Sequence, residues 1–354
     1  MTLKKPTIDD VARLSGVARV TVSRVLNGGP NVRHEVRDKV MQAVRALDYK
    51  VNVQARTLAG GGSRLIAFIF ASDLEAEPNS FYQSALELGA LRGCLALGYQ
   101  LLTHHIPEHG ADRVRLLADL IKTQRCEGVI LTPPFSDDVA LIEAALALKC
   151  KVAAISPGGA GRALVDGVGI DDEKGGYDIA RHLLGLGHRR FALIAGIAGH
   201  LSADQRHDGV MRALAEDGLG EGDIVWRRGD FTFRSGVQLA PDLFDDPLKA
   251  TALICANDDM AAGALSAAHA RGIAVPGDLS ITGFDDTPVS AIVWPPLTTV
   301  HQPLKAMGER AVARLVRGLA AAAGGEVLPA HVEQLDHLVV ARNSSSAVLI
   351  RRTR

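Results

Sequence analysis

Eight hydroxyl, amide and carboxyl side chains stand directly after apolar runs of strand length. They are Ser72, Asp73, Thr132, Ser156, Asn257, Asp258, Asp285 and Asp286. Small molecules bind open α/β sheets at the carboxyl ends of the strands, so this set predicts a site for a polar small molecule. Any one of these residues could instead be the N-cap of the helix that follows. The prediction therefore depends on the set and not on a single member.

Motifs for catalysis and metal binding are missing from the sequence. It contains no G-x-x-x-x-G-K-[ST], G-x-S-x-G or H-E-x-x-H pattern. The glycine run 218–222 resembles a dinucleotide-binding loop, but it precedes a predicted strand, which favours a turn. His104, His105 and His109 flank Pro107, which favours surface-loop histidines over metal ligands. We expect no enzyme, no metal and no cofactor.

The charge of the chain is distributed unevenly. Up to Arg64 it carries twelve Lys and Arg against five Asp and Glu, although the 354 residues together have a net charge of −1. A basic head on an acidic body indicates a module that binds a polyanion, joined to a part with a different task. A basic face that simply contacts solvent is the alternative.

The head has the pattern of a helix-turn-helix unit. Thr7 followed by Asp10 predicts a helix start near Ile8, and Gly16 ends that helix. Val22, Val25 and Leu26 share one face of a second helix, and a third is predicted over 35–47. Other three-helix domains would have the same periodicity.

After residue 62, strand-length runs alternate with helix-length stretches. The predicted strands are 65–70, 99–103, 128–132, 152–155, 190–195, 251–255 and 279–283, and the predicted helices are 79–97, 111–123, 137–148, 174–186, 203–216 and 258–270. This alternation predicts parallel sheets in two doubly wound subdomains.

Composition is consistent with a folded chain of two or three domains, since 47% of the residues are apolar. The first residues include two lysines but no apolar run typical of a secretory signal, so we expect a cytoplasmic protein. Cys94, Cys126, Cys150 and Cys255 lie far apart, which predicts buried thiols.

Long motifs connect the chain to a known family. Residues 7–17 read TIDDVARLSGV, residues 21–27 read TVSRVLN, and residues 52–58 read NVQARTL. Together with LGHRR at 186–190, AND at 256–258, GFDD at 283–286 and PPLTTV at 295–300, they resemble the lactose/galactose repressor (LacI/GalR) family of bacterial transcription regulators. The resemblance spans about residues 7–340.

The resemblance implies a small all-α helix-turn-helix head (1–50), joined by a hinge helix (51–63) to an α/β periplasmic-binding-protein-like core (64–345). The core would have two doubly wound parallel-sheet subdomains, an N-subdomain of about 64–171 and 302–325 and a C-subdomain of about 172–300 and 326–345.

The family pattern also implies DNA-binding residues. Arg19, Val20 and Arg24 would read bases, because positions 20 and 24 share one helical face and 19 flanks them. The residues expected at phosphates are Thr7, Thr21, Ser23 and Asn27, and those expected in the hinge are Asn52, Arg56 and Leu58, the last as a minor-groove wedge.

The sequence departs from the family pattern at three positions. Ala18 and Arg33 replace N-cap serines before the second and third helices, and Val51 stands where the hinge commonly has proline. A lost cap costs about 1 kcal/mol, so we expect a less stable head, while Arg33 could add a phosphate contact.

In the core, the resemblance assigns the effector site. Arg206 would be the effector arginine, Asp285 would bind ligand hydroxyls with Asn257 opposite, and Phe231 would stack on a sugar ring. The remaining predicted ligand-binding residues are Ser72, Phe81, Tyr82, Thr132 and Ser156.

We therefore expect a repressor of a carbohydrate catabolic operon, dimeric or tetrameric, which binds a pseudo-palindromic operator and is controlled by a sugar-like effector. A corepressor-dependent regulator that responds to a purine or sugar acid stays open. A sugar-binding transport protein or an enzyme on the same core is a further alternative.

Overall fold

The computed structural model describes residues 6–26, 32–49, 62–71 and 80–348. The chain divides into two compact units, Met1–Ser63 and Arg64–Arg354, which are described separately. Several predicted features lie outside the described residues, namely the hinge helix, Val51, Asn27, Asn52, Arg56, Leu58, Ser72 and Asp73.

The first unit contains three helices around a small apolar core. They are α1 (Ile8–Ser15), α2 (Arg19–Leu26) and α3 (His34–Ala46). The core consists of Val11, Val22, Val25, Val40 and Ala43. Gly16 ends α1 with φ of 67°, a left-handed conformation that glycine adopts without steric cost. The predicted break at Gly16 is confirmed, and α3 begins one residue before its predicted start.

The N-subdomain is built on a six-stranded parallel sheet with strand order β11-β5-β4-β3-β1-β2. Its strands are β1 (Leu65–Ala71), β2 (Gln100–Ile106), β3 (Gly128–Leu131), β4 (Lys151–Ile155), β5 (Asp166–Gly169) and β11 (Val332–Gln334). The helices of this part are α4 (Ser80–Leu97), α5 (Arg113–Gln124), α6 (Val139–Ala147) and α12 (Leu304–Ala323). Apolar clusters cover both faces of the sheet, which is typical of parallel strands.

The C-subdomain is built on a four-stranded parallel sheet with order β7-β6-β8-β9. Its strands are β6 (Phe191–Ala195), β7 (Ile224–Arg228), β8 (Ala252–Cys255) and β9 (Ser280–Thr282). The helices are α7 (Asp172–Gly185), α8 (Leu201–Glu216), α9 (Phe233–Asp245), α10 (Asp258–Ala270) and α11 (Pro288–Ile292). A separate antiparallel pair joins β10 (Thr299–His301) to β12 (Leu338–Val340). Two parallel-sheet subdomains are thus confirmed.

Two expectations were wrong. The stretch from 326 was assigned to the C-subdomain, but Val332–Gln334 pairs in parallel with Gly167–Gly169 and completes the N-subdomain sheet, because the outer edge of β5 would otherwise lack a partner. His104 and His105 do not lie in a surface loop. They belong to β2, the opposite edge strand, which continues to Ile106, three residues past its predicted end.

The four cysteines are buried, as the sequence predicted. Within the described ranges, no helix combines the length and the apolar character that a membrane crossing requires.

Helices α7 and α8 approach so closely that glycine is required at their crossing. A Cβ added at Gly209 would lie 1.9 Å from the carbonyl oxygen of Glu173, and one at Gly176 would lie 2.0 Å from that of Arg206. Both added atoms would meet backbone, which cannot rotate away as a side chain can. The two glycines therefore set the spacing of the helices.

We predict that Gly209→Ala lowers the free energy of unfolding by about 2 kcal/mol, because the methyl group must push α8 away from α7. Urea unfolding followed by circular dichroism measures the change. Gly185→Ala is the matched control, since a Cβ at this last residue of α7 meets nothing within 4 Å. Equal stability of the two variants would contradict the proposed role of the close crossing.

Candidate functional site

The solvent face of α2 carries the three predicted base-reading residues. Val22 and Val25 are buried in the core of the head, whereas Arg19, Val20 and Arg24 are exposed. Val20 is 71% exposed, so its methyl groups are accessible to another molecule. The helix thus divides into a packed face and a face free to contact another molecule.

The start of α1 has the predicted capping box. The hydroxyl of Thr7 donates to Asp10 Oδ2 at 2.7 Å, and the Asp10 N–H donates back to Thr7 Oγ1 at 3.4 Å. Asp9 lies next to Arg19, with 3.5 Å between their charged atoms. The phosphate contacts of Thr7, Thr21 and Ser23 stay predictions.

The predicted loss of a cap at Arg33 is visible in the structure. Arg33 stands at the N-cap position of α3 and makes no side-chain capping hydrogen bond. Before α2, the Ala18 carbonyl accepts from the N–H groups of Thr21 and Val22, so this helix begins where the pattern requires.

In the second unit, the buried guanidinium of Arg206 organises the predicted effector site. Its Nε donates to Asp172 Oδ1 at 2.8 Å, and one Nη donates to the carbonyl of Ala256 at 2.9 Å. That same Nη lies 3.6 Å from Asp285 Oδ1. The Phe284 ring lies below the guanidinium, 3.8 Å from its central carbon, which stabilises the cation further.

Helix ends position the two partners of this ion pair. Asp171 caps α7 by accepting from the Lys174 N–H, which places Asp172 in the first turn, where the helix dipole favours a carboxylate. Arg206 follows in the second turn of α8. The close crossing at Gly176 and Gly209 brings these turns together.

Asp285 follows β9 and is held in a conformation that few side chains adopt. Its φ is 101°, and its Oδ1 accepts from Gln302 Nε2 at 2.6 Å. Burial raises the pKa of Asp285 to about 7, although the charge of Arg206 and the Gln302 hydrogen bond oppose this shift. Near neutral pH the site therefore contains a carboxyl group that can gain or lose a proton.

Asn257 and Phe231 are joined directly. Asn257 caps α10 by accepting from the Met260 N–H at 3.0 Å, and its Nδ2 donates to the Phe231 carbonyl at 2.8 Å. The helix-capping alternative is thus confirmed for Asn257, which leaves its ligand role a prediction. The ring of Phe231 is 5.7 Å from that of His200 at the start of α8.

Tyr82 comes from the N-subdomain and reaches the same group. Burial raises the pKa of Tyr82, and the charge of Asp285 adds to the shift. The charges of Arg206 and Asp172 act on the same pKa, so the phenol lies within electrostatic range of the ion pair. Arg206, Asp285 and Tyr82 are therefore the predicted residues that the fold brings together.

Other predicted ligand residues do not join this cluster in the described contacts. The Thr132 hydroxyl donates to the Ile69 carbonyl at 2.9 Å within the N-subdomain sheet. Ser156 packs beside Gly169, and Phe81 is exposed.

Two further members of the set of eight polar residues, Asp258 and Asp286, also have structural partners. Asp258 is fully buried and accepts from the hydroxyls of Thr287 and Thr299. Asp286 accepts from Arg342 and pairs with His301 at 3.0 Å. Neither carboxylate is available to a ligand in this arrangement.

Sequence reasoning missed Asp172, Phe284 and Gln302. The glycine-rich run that forms β5 was not predicted as a strand, so the acidic pair Asp171–Asp172 beyond it was not predicted to lie near a strand end. Phe284 lies inside the GFDD motif at 283–286 and Gln302 lies two residues after the PPLTTV motif, but their contacts with Arg206 and Asp285 are long-range. No group of three or more metal-ligating side chains is found among the described residues.

The fold and the site define a class of protein. In this class one chain combines a helix-turn-helix head, which has an exposed recognition face, with a core of two parallel-sheet subdomains. Residues 7–52 match the model of bacterial regulatory proteins of the lacI family, and residues 180–345 match a periplasmic binding protein-like domain. The transcriptional regulator DegA of Bacillus subtilis (strain 168) is 34% identical over 92% of this chain and 96% of its own length. The chain belongs to the lacI family.

Two solved structures have the same fold. A Lac repressor dimer bound to operator and the anti-inducer ONPF is 29% identical, with a TM-score of 0.78 over 97% of this chain and all of that chain. A complex of the regulator CelR with cellobiose is also 29% identical, with a TM-score of 0.71 over 96% of this chain and 99% of that chain.

We predict that Asp285→Asn changes how stability depends on pH. Because the pKa of Asp285 is raised, its protonated form contributes to the free energy of unfolding. That contribution is complete below about pH 4 and is lost as the pH rises to about 7. The variant has no carboxyl group to titrate at this position. Its free energy of unfolding relative to that of the wild type should therefore rise by about 2 kcal/mol between pH 5 and 8. Urea unfolding at each pH measures this.

The control for this series is Asp245→Asn, which removes the exposed carboxylate that pairs with Arg271 at 2.8 Å. Its stability difference from the wild type should not change with pH over this range. A pH-independent difference for Asp285→Asn would contradict the buried, proton-binding role of Asp285.

Proposed function

We propose that this chain is a transcriptional repressor whose operator affinity is controlled by a small uncharged carbohydrate. The observation that supports DNA reading is the exposed face of α2, where Arg19, Val20 and Arg24 lie outside the packed core. A membrane role and a catalytic role have no comparable support. We infer that the protein acts by reversible binding, in the cytoplasm, where the operator is.

The chemistry of the α2 face suits a major groove. Each arginine can donate two hydrogen bonds to guanine O6 and N7, and the methyl groups of Val20 can contact a thymine methyl. Phosphate contacts from the rest of the basic head position the domain, so operator affinity should fall steeply as the salt concentration rises.

The N-subdomain offers a surface for a second copy of the chain. Leu88, Leu91 and Leu95 follow one another at helical spacing on α4, and each is exposed, Leu95 by 69%. A solved relative is a dimer on its operator. We propose that this stripe is buried between two copies, which would then bind a pseudo-palindromic operator.

Charge compensation indicates the class of effector. Arg206 already has Asp172 at 2.8 Å and Asp285 at 3.6 Å, and Asp259 adds a further negative charge near Asp285. A ligand with its own carboxylate or phosphate would gain little from Arg206, because the charge of this arginine is already neutralised. The acidic side chains around the arginine would also repel such a ligand. A neutral polyol instead supplies hydroxyl groups that carboxylates bind well, and a solved relative holds cellobiose.

The effector would act by favouring one arrangement of the two subdomains. Tyr82 from the N-subdomain and Arg206 and Asp285 from the C-subdomain converge, so a ligand between them contacts both. A ligand shifts such an equilibrium only through its different affinities for the two arrangements, commonly by about 1–3 kcal/mol. We propose that this shift is what releases the operator.

We predict that Arg24→Ala abolishes the preference for operator over random DNA, because a bidentate base contact contributes about 1–3 kcal/mol of discrimination. Fluorescence anisotropy with operator fragments selected from genomic DNA measures both affinities. Arg45→Ala, on the exposed end of α3, is the control. Retained discrimination in Arg24→Ala would contradict base reading by this residue.

We predict that Arg206→Lys leaves operator affinity unchanged and weakens the effector response at least about tenfold, because lysine cannot replace the planar fork of arginine. A panel of neutral hexoses and disaccharides, each with its matched uronic or aldonic acid, identifies the effector first. Arg212→Lys, on the exposed side of the same helix, is the control. A response to the acids alone would overturn the neutral-ligand proposal.

A further inference from the structure

One ion pair of the head joins two different helices at the edge of the proposed base-reading face. Asp9, in the first turn of α1, has its Oδ1 3.5 Å from Nε of Arg19, the first residue of α2. The ion pair between Asp10 and Arg13, by contrast, stays within α1. Asp9 therefore brings a negative charge of α1 to a residue of the reading face.

The turn between the two helices fixes the backbone from which both side chains extend. The N–H groups of Gly16 and Val17 donate to the carbonyl of Ala12, which closes the end of α1. The two helices also share the apolar core of the head. The position of Asp9 relative to Arg19 is therefore set by the fold and does not depend on their contact.

The helix dipole acts differently on the two arginines of the reading face. Arg24 lies in the last turn of α2, where the dipole favours a cation. Arg19 lies at the opposite end, where the dipole disfavours a cation, and the first turn of α2 contains no acidic residue. Asp9 supplies from the neighbouring helix the negative charge that α2 itself does not provide.

The contact occupies only one part of the guanidinium group. Asp9 lies beside Nε, whereas the two terminal nitrogens, Nη1 and Nη2, can donate together to O6 and N7 of guanine. A carboxylate beside Nε restricts the rotation of this long side chain and leaves the terminal nitrogens available. Arg19 can thus enter a major groove with its base-reading edge already oriented, which lowers the entropic cost of the base contact.

We propose that Asp9 is a positioning residue that makes Arg19 selective for guanine at a cost in overall affinity for DNA. The proposal rests on the proposed base reading by Arg19. Without the carboxylate, the arginine is free to turn to a phosphate, a contact that adds affinity but carries no sequence information. Asp9 is also 59% exposed, so its charge repels the backbone of any duplex.

Two measurable quantities should therefore change in opposite directions when the charge of Asp9 is removed. Asp9→Asn keeps the size of the side chain but not its charge. The affinity for random duplex DNA should rise, whereas the preference for guanine at the base position that Arg19 reads should fall. A residue that only stabilised the head would instead lower the affinity for every duplex.

Binding of the full-length chain to defined duplexes tests this proposal. Selection from a pool of randomised inverted repeats gives the preferred operator, and single-base variants of that operator give the preference at each position. A scrambled duplex of the same composition is the non-specific probe. Fluorescence anisotropy without any added small molecule measures each affinity over about 50–200 mM salt, so the result does not depend on the proposed effector.

For Asp9→Asn we expect binding to the scrambled duplex to be about threefold tighter and the preference for guanine to be about threefold smaller, the sizes typical of an exposed charge pair. The salt dependence of binding to the scrambled duplex should steepen by about one counterion, because Arg19 then neutralises a further phosphate. In an Arg19→Ala background, Asp9→Asn should leave the base preferences unchanged, since no side chain is left to position.

Asp38→Asn is the matched control, because it removes a similarly exposed carboxylate from α3, where Asp38 pairs with His34 at 2.9 Å. It should retain the wild-type preference for guanine, and circular dichroism checks that each variant is folded. An unchanged preference for guanine in Asp9→Asn would overturn the role of Asp9 alone, and so would a loss that persists in the Arg19→Ala background. Wild-type base preferences in Arg19→Ala would overturn base reading by Arg19 as well.

Discussion

The positive charge of a buried guanidinium must be neutralised by carboxylates next to it, and this requirement determines how the C-subdomain packs around Arg206. Arg206 finds Asp172 on the neighbouring helix and Asp285 beyond the sheet, with the Phe284 ring beneath it. Asp172 is within reach of Arg206 because their two helices cross with backbone almost in contact at Gly176 and Gly209. The ion pair and the close packing therefore depend on each other, since a wider crossing would leave a buried charge unpaired.

Helix α8 has three different roles along its length. His200, just before its first residue, contacts Glu108 of the N-subdomain at 3.0 Å, its second turn holds the ion pair, and Gly209 sets the crossing. A displacement at one end is therefore transmitted through a rigid element to the other.

The sequence predicted features with strong local signals. The capping box of Thr7 and Asp10, the break at Gly16 and the long β-α alternation each depend on neighbouring residues, and each was found. Arg206, Asp285 and Asn257 were predicted from family motifs and lie at helix or strand ends as expected.

What sequence reasoning missed had weak local signals or long-range causes. The short strand Asp166–Gly169 contains two glycines, so no apolar run marks it, and Asp172 just beyond it was missed as well. Val332–Gln334 forms a strand because it pairs with the outer edge of β5, which lies more than 160 residues earlier in the chain. Asp258 looks like a ligand residue in sequence, yet two threonine hydroxyls bind it inside the core.

The division of α2 into two faces has a consequence for how such regulators diversify. Val22 and Val25 maintain the fold of the head, whereas Arg19, Val20 and Arg24 contribute nothing to that apolar core. Substitutions on the outer face are therefore nearly free of folding cost. After gene duplication, a copy could acquire a new target sequence by a few exposed replacements while its architecture stays intact.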